Sequence, residues 1–177
     1  MPQPAASVDI GALLDEGPWT PYQKLLTLVA ALAVIFDGFD IQILGFAIPA
    51  IMHDWQLARS AFAPVLAGGL AGMAVGSPLA GYCGDRFGRR VTLIACVLLF
   101  GLATAGTAFS QGLLQLAVLR FLTGMGVGGA LPNAGALAAE FAPVRRRPVA
   151  VTLTMLCFPL GGMISGVAAA RILPAFG

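Results

Sequence analysis

The chain has 177 residues, of which 58% are hydrophobic and 10% charged, and its mean hydropathy is +0.89. Soluble domains carry about 25% charged residues, so 10 basic and 8 acidic side chains cannot clothe a water-facing surface of this size. Composition excludes a soluble enzyme and a disordered tail, and a net charge of +2 offers no basic field for nucleic acid.

Residues 1–23 read as a cytoplasmic N-terminal tail. They hold Asp9, Asp15 and Glu16 and no basic residue before Lys24, the reverse of a signal peptide. Ile10, Leu13 and Leu14 suit one amphipathic turn. The transmembrane domain is expected to occupy residues 24–177, and Thr20-Pro21 supplies an N-cap followed by a first-turn proline. Spanning ~30 Å of hydrocarbon takes about 20 apolar helical residues. The first such run covers about 25–51 and is interrupted by Asp37 and Asp40; a polar loop with His53, Asp54 and Arg59 follows. The second run, 61–83, and the third, 91–109, carry no charge. The fourth, 113–139, contains Arg120, and the fifth, 149–170, contains Pro159, where a kink is expected. Long unbroken runs, rather than alternating strands of about ten residues, exclude a β-barrel. The expected fold is an all-α integral membrane protein with five transmembrane helices.

Basic loop residues set the orientation. With the N-terminus inside, the cytoplasmic face holds Lys24, Arg86, Arg89, Arg90, Arg145, Arg146 and Arg147, and the opposite face holds Arg59 and Arg171. Small residues recur every fourth position: Gly68, Gly72, Gly76, Ala80 and Gly84 in the second helix, Gly124 and Gly128 in the fourth, Gly162, Gly166 and Ala170 in the fifth. That spacing lets backbones touch, and helix association in lipid relies on it.

Cys83, Cys96 and Cys157 lie in or beside apolar runs without metal-ligand spacing, and read as small buried hydrophobes. No metal or cofactor site is expected. Ionisable groups within the hydrocarbon are costly and point to function. Asp37 and Asp40 share a helix face. Counted from the helix ends at 1.5 Å per residue, Asp40 lies roughly 16 Å and Arg120 roughly 12 Å below the outer boundary. A pairing of Asp40 with Arg120, direct or through a substrate, is therefore permitted. Two acids against one base leave one carboxylate underpaired and suited to exchange a proton. A purely structural ion pair is the weaker reading, because packing alone does not require that remainder.

The stretch Gly81-Tyr82-Cys83-Gly84-Asp85-Arg86-Phe87-Gly88-Arg89-Arg90 reads, on charge alone, as a tight topology-setting loop. It also resembles the signature loop of the major facilitator superfamily. Arg120-Phe121-Leu122-Thr123-Gly124-x-Gly126-x-Gly128-Gly129 is similar to the fourth-helix motif of that superfamily, and Glu140-x-x-Pro143 with Arg145-Arg146-Arg147 to the loop after it. Asp37-Gly38-Phe39-Asp40 and Pro132-Asn133-Ala134 resemble elements of the aromatic acid:H⁺ symporter family. Two positions depart from the pattern: Pro148 replaces a small residue, and Cys157 to Gly162 does not match the antiporter fifth helix.

The resemblance implies part of the N-terminal six-helix half of a major facilitator fold, in a plasma membrane (the inner membrane if bacterial). It implies proton-coupled symport of a small aromatic carboxylate, with protons, a small organic anion and the lipid bilayer as partners. Asp37 and Asp40 would handle the proton, Arg120 the substrate carboxylate, and the 81–90 stretch with Glu140, Pro143 and the arginine cluster the cytoplasmic gate. Five helices expose charged faces that call for a missing C-terminal half or another chain, so the chain alone is not expected to transport. Competing readings are another facilitator porter (for a sugar, another organic anion or a drug) and a non-transporting membrane module. An intramembrane enzyme is disfavoured: Ser77 and Ser165 are central, but no apolar run contains a histidine base.

Overall fold

The computed structural model describes residues 20–176, with side chains through Ile172. Most of the expected tail, including Ile10, Leu13 and Leu14, lies outside the described residues. Five helices follow in order: α1 (Pro21–Trp55), α2 (Ala63–Phe87), α3 (Arg89–Thr107), α4 (Leu113–Phe141) and α5 (Arg147–Phe176), with 3₁₀ turns at Arg59–Phe62 and Val144–Arg146. All five are long and apolar enough to cross a membrane.

The helices outrun most of the apolar stretches that announce them. Apolar runs mark what hydrocarbon covers, whereas backbone hydrogen bonding continues into the headgroup layer. α1 starts at the expected cap: Gln23 N–H donates to Thr20 Oγ1 at 3.4 Å and Thr20 N–H to Gln23 Oε1 at 2.9 Å, a reciprocal capping box. The tail thus ends before residue 23. At its other end α1 continues through Trp55, so His53 and Asp54 belong to an exposed last helical turn and not to a loop. α3 stops at Thr107, two residues before the expected end. α5 runs unbroken through Pro159, and Pro148 takes a first-turn position, where a missing N–H costs little.

The 81–90 stretch is not a loop. Gly81, Gly84, Asp85 and Arg86 belong to α2, Arg89 and Arg90 open α3, and Gly88 alone joins them. Gly88 has φ 92° and ψ 141°, a conformation costly for any residue with a Cβ.

α2 lies along α4, α1 along α5, and α3 along α4. The α2–α4 and α1–α5 pairs correspond to one another if the first helix is exchanged with the fourth and the second with the fifth, the pattern of two inverted three-helix repeats. Glycines bring both pairs to backbone contact. A Cβ on Gly72 would strike the Phe121 carbonyl, one on Gly76 Met125, one on Gly124 the Gly69 carbonyl, and one on Gly128 Met73. A Cβ on Gly68 would lie 3.1 Å from the Ala117 carbonyl oxygen. In the α1–α5 pair the contact comes from Gly161, against Ile35, and Gly38, against Phe158. The stripe expected in the fifth helix is therefore one residue off. A Cβ on Gly162 would lie 3.1 Å from the Gln42 side chain, and one on Gly166 only 3.8 Å from the Phe46 ring.

The central core is correspondingly small-featured: Ala30 and Val34 from α1, Ala80 from α2, Leu93 and Cys96 from α3, and Ala130, Ala134 and Leu137 from α4. Cys96 is buried, whereas Cys83 and Cys157 are half-buried. The large apolar side chains point outward instead, among them Leu98, Leu102 and Val167. In a soluble protein such a surface would aggregate; in lipid it is the solvated one.

Candidate functional site

Asp40 and Arg120 meet in the bundle interior. Arg120 Nη1 donates to Asp40 Oδ2 at 2.8 Å, with 8% and 5% of the two side chains exposed. Thr104 of α3 donates its hydroxyl to Asp40 Oδ1 at 2.9 Å, so both carboxylate oxygens are engaged. Asp37, one turn earlier in α1, is fully buried, and neither of its oxygens has a hydrogen-bond partner. Arg120 Nε is likewise unpartnered. The two acids on one face thus differ: one is held from two helices, the other stands alone in the core.

Asp40 also separates two cavities. One, of about 330 Å³, lies among α1, α2 and α4 and is walled by Ile41, Leu44, Leu66, Leu70 and Met73, with Arg120 and Thr123 supplying its other polar groups. The second, of about 410 Å³, lies between α1 and α3 against Phe36, Phe39, Phe100 and Thr104. Among the residues lining the two, Asp40 alone is shared. Both volumes fall within the range of small-molecule sites, and the first has the usual form of one: apolar walls with a few convergent polar groups.

At the Gly88 end, Arg89 binds two acids, Asp85 across the Gly88 junction at 2.8 Å and Glu140 of α4 at 3.5 Å. Arg86 donates to Tyr82 Oη at 2.8 Å and stacks over Phe87, and Arg90 reaches Tyr22 Oη at 3.5 Å. Tyr22 in turn meets Phe141 edge to face. The ends of α1, α2, α3 and α4 are thereby laced together. Pro143 is buried between α4 and the second 3₁₀ turn; Arg145, Arg146 and Arg147 are exposed. Asn133 bridges α4 to α2, donating Nδ2 to the carbonyls of Gly129 at 2.8 Å and Ala80 at 3.3 Å. Among the described residues, no cluster of metal-ligating side chains occurs.

The family model of the Major Facilitator Superfamily matches residues 30–177. The chain belongs to the Major Facilitator Superfamily. It is 39% identical over 172 residues to a gallate transporter of Pseudomonas putida, and 40% identical over 172 residues to the 4-hydroxybenzoate transporter PcaK of Acinetobacter baylyi. Each alignment covers 97% of this chain and 38% of the relative, so the chain spans about two-fifths of their length. Among solved structures, the inward-open xylose transporter XylE of E. coli superposes with a TM-score of 0.67 at 26% identity, over 81% of this chain and 38% of that one. Relatives and fold alike are those of facilitator transporters, and this facilitator chain is a multi-pass membrane protein.

Sequence reasoning missed three participants: Thr104, Tyr22, and the close approach of α1 and α5 at Gly38 and Gly161. Thr104 carries no signal in one dimension, because threonines in membrane helices ordinarily bond their own backbone.

Proposed function

We propose that this chain forms part of a proton-coupled symporter for a small aromatic carboxylate, with its N-terminus on the cytoplasmic side of a plasma membrane. The observation that carries the reading is the buried Asp40–Arg120 pair in the wall of a cavity whose other lining, Thr123 apart, is apolar. A planar guanidinium binds a carboxylate through two parallel donors, and Arg120 Nε, which has no partner, supplies such a fork together with Nη2 on the same edge. The ring of a benzoate-type anion suits walls of Ile41, Leu44, Leu66 and Met73. The relatives named for gallate and 4-hydroxybenzoate support the same substrate class.

The coupling follows from charge balance. While Arg120 holds Asp40, the two opposite charges balance each other. A substrate carboxylate that takes Arg120 leaves Asp40 without its cation in a low-dielectric interior, and proton uptake is the cheapest relief. Asp37, already without a partner, is the second proton acceptor on the same face. At the cytoplasmic end, the Asp85–Arg89–Glu140 network holds α2, α3 and α4 in one arrangement and serves as the gate. Residues 20–176 wall the first cavity from α1, α2 and α4, so the opposite wall comes from a C-terminal half or another chain.

Uptake of radiolabelled 4-hydroxybenzoate and gallate by cells expressing the full-length protein, with and without a protonophore, tests the reading. Accumulation against a gradient that collapses with the protonophore is expected. Accumulation that survives it excludes proton coupling, and uptake of a sugar but no aromatic acid overturns the substrate class.

A further inference from the structure

Of the side chains lining the cavity between α1 and α3, only Asp40 and Thr104 are polar; Phe36, Phe39, Ile43, Val97 and Phe100 supply no donor. Thr104 also departs from the habit of its neighbours. Thr92 and Thr107 in the same helix donate to their own backbone, at Gly88 (3.1 Å) and Thr104 (2.6 Å), as do Thr123 in α4 and Thr154 in α5. Thr104 instead sends its hydroxyl across to Asp40 Oδ1, 64 residues away in the chain.

We propose that Thr104 is a positioning residue that satisfies Asp40 Oδ1 in both charge states of the carboxyl. The inference rests on the reading of Asp40 and Arg120 given above. In the ionised state the hydroxyl donates to Oδ1 while Arg120 holds Oδ2. When Arg120 turns to the substrate carboxylate, the arriving proton bonds to Oδ1. The new O–H then donates to Thr104 Oγ1, and the threonine hydrogen turns back to a carbonyl of α3, as in Thr92 and Thr107. No atom is transferred between the two side chains, and the hydroxyl simply exchanges the donor for the acceptor role. A buried carboxyl otherwise loses a partner in one of the two states, which slows the cycle at the step that changes them. The charged groups near Asp40 are Asp37 on its own helix and Arg120 from α4; the membrane-buried parts of α3 and α5 bring none.

The test compares Thr104→Val, which keeps the shape and loses the hydroxyl, with Thr104→Ser, which keeps the hydroxyl. In the full-length protein the maximal uptake rate of 4-hydroxybenzoate is expected to fall about tenfold in Thr104→Val with KM little changed, a loss of ~1.4 kcal/mol in the limiting step. Thr104→Ser is expected to restore the rate. In parallel, infrared titration of the 177-residue chain in nanodiscs follows the protonated carboxyl band of Asp40, assigned by its loss in Asp40→Asn. That band is expected to move in Thr104→Val and to hold its place in Thr104→Ser. Thr104→Ala replaces Thr104→Val if the latter does not fold. Equal damage from Val and Ser, or a slowed Val variant whose band does not move, overturns the proposal. If the parent takes up no aromatic acid and the band still moves in Val alone, the positioning of Asp40 stands and the transport reading falls.

Discussion

Arg120 and Asp40 are 80 residues apart in the chain and 2.8 Å apart in the bundle. Their contact closes the gap between α1 and α4, the two helices that hold equivalent places in the inverted repeats. Because both side chains are almost entirely buried, neither can lose the other to water. Only another anion, or a proton, can take the place of one partner. Under the proposed function, that restriction is what makes the ion pair a coupling element.

Breaking the pair from either side is therefore expected to be severe. Asp40→Asn should abolish accumulation against a gradient and destabilise the bundle by about 3–5 kcal/mol, since it strands a buried guanidinium. Arg120→Lys keeps the charge but loses the planar fork, and should raise the KM for aromatic acids at least tenfold. Accumulation assays with thermal unfolding in detergent check both. Wild-type accumulation by Asp40→Asn would remove the residue from the mechanism.

Asp37 should separate stability from coupling. Its oxygens lack donors, so Asp37→Asn removes a costly buried acid without stranding a cation. Thermal stability should be unchanged or raised. Gradient-driven accumulation should be lost while downhill exchange of labelled for unlabelled substrate persists. Loss of exchange and accumulation together would make Asp37 a substrate-binding group instead.

The glycines should divide sharply by what faces them. Gly72→Ala and Gly76→Ala drive a methyl into the backbone of α4, at about 1–3 kcal/mol each or more where the backbone cannot yield. Gly81→Ala meets nothing within 4 Å and sits inside α2, so helix propensity should leave stability level or higher by about 0.5–1 kcal/mol. Unfolding curves of the purified variants distinguish the two classes, and equal losses at 72 and 81 would contradict the α2–α4 contact.

Asp85 should matter for rate and hardly at all for stability. Its side chain is 71% exposed, and exposed pairs contribute about 0–1 kcal/mol. Asp85→Asn leaves Arg89 to Glu140 alone, which under the proposed function loosens the gate while the fold survives. Uptake at saturating substrate should fall several-fold with an unchanged melting temperature. An unchanged rate would reduce Asp85 to a surface charge.

The amino-acid sequence by itself determined the class of protein, the number of spans, the capping of α1, and the three charges that lie within the apolar helices. Those depend on local composition, on helical rise, and on the high cost of charge in hydrocarbon, all of which are properties of short stretches. The every-fourth glycines of α2 and α4 belong to the same group, because a strict period marks one helix face whatever it meets. The tertiary structure decided what depends on rotation and on which helices are neighbours. It put Gly161 rather than Gly162 against the backbone of α1, since a shift of one residue turns a helix face by about 100° without altering the sequence period. It merged the supposed 81–90 loop into two helices around Gly88, because basic and small residues end an apolar run without ending a helix. It brought Thr104 to the second oxygen of Asp40. A threonine in an apolar helix has its own carbonyls as ready partners, and only the arrival of a neighbouring carboxylate gives its hydroxyl a better one.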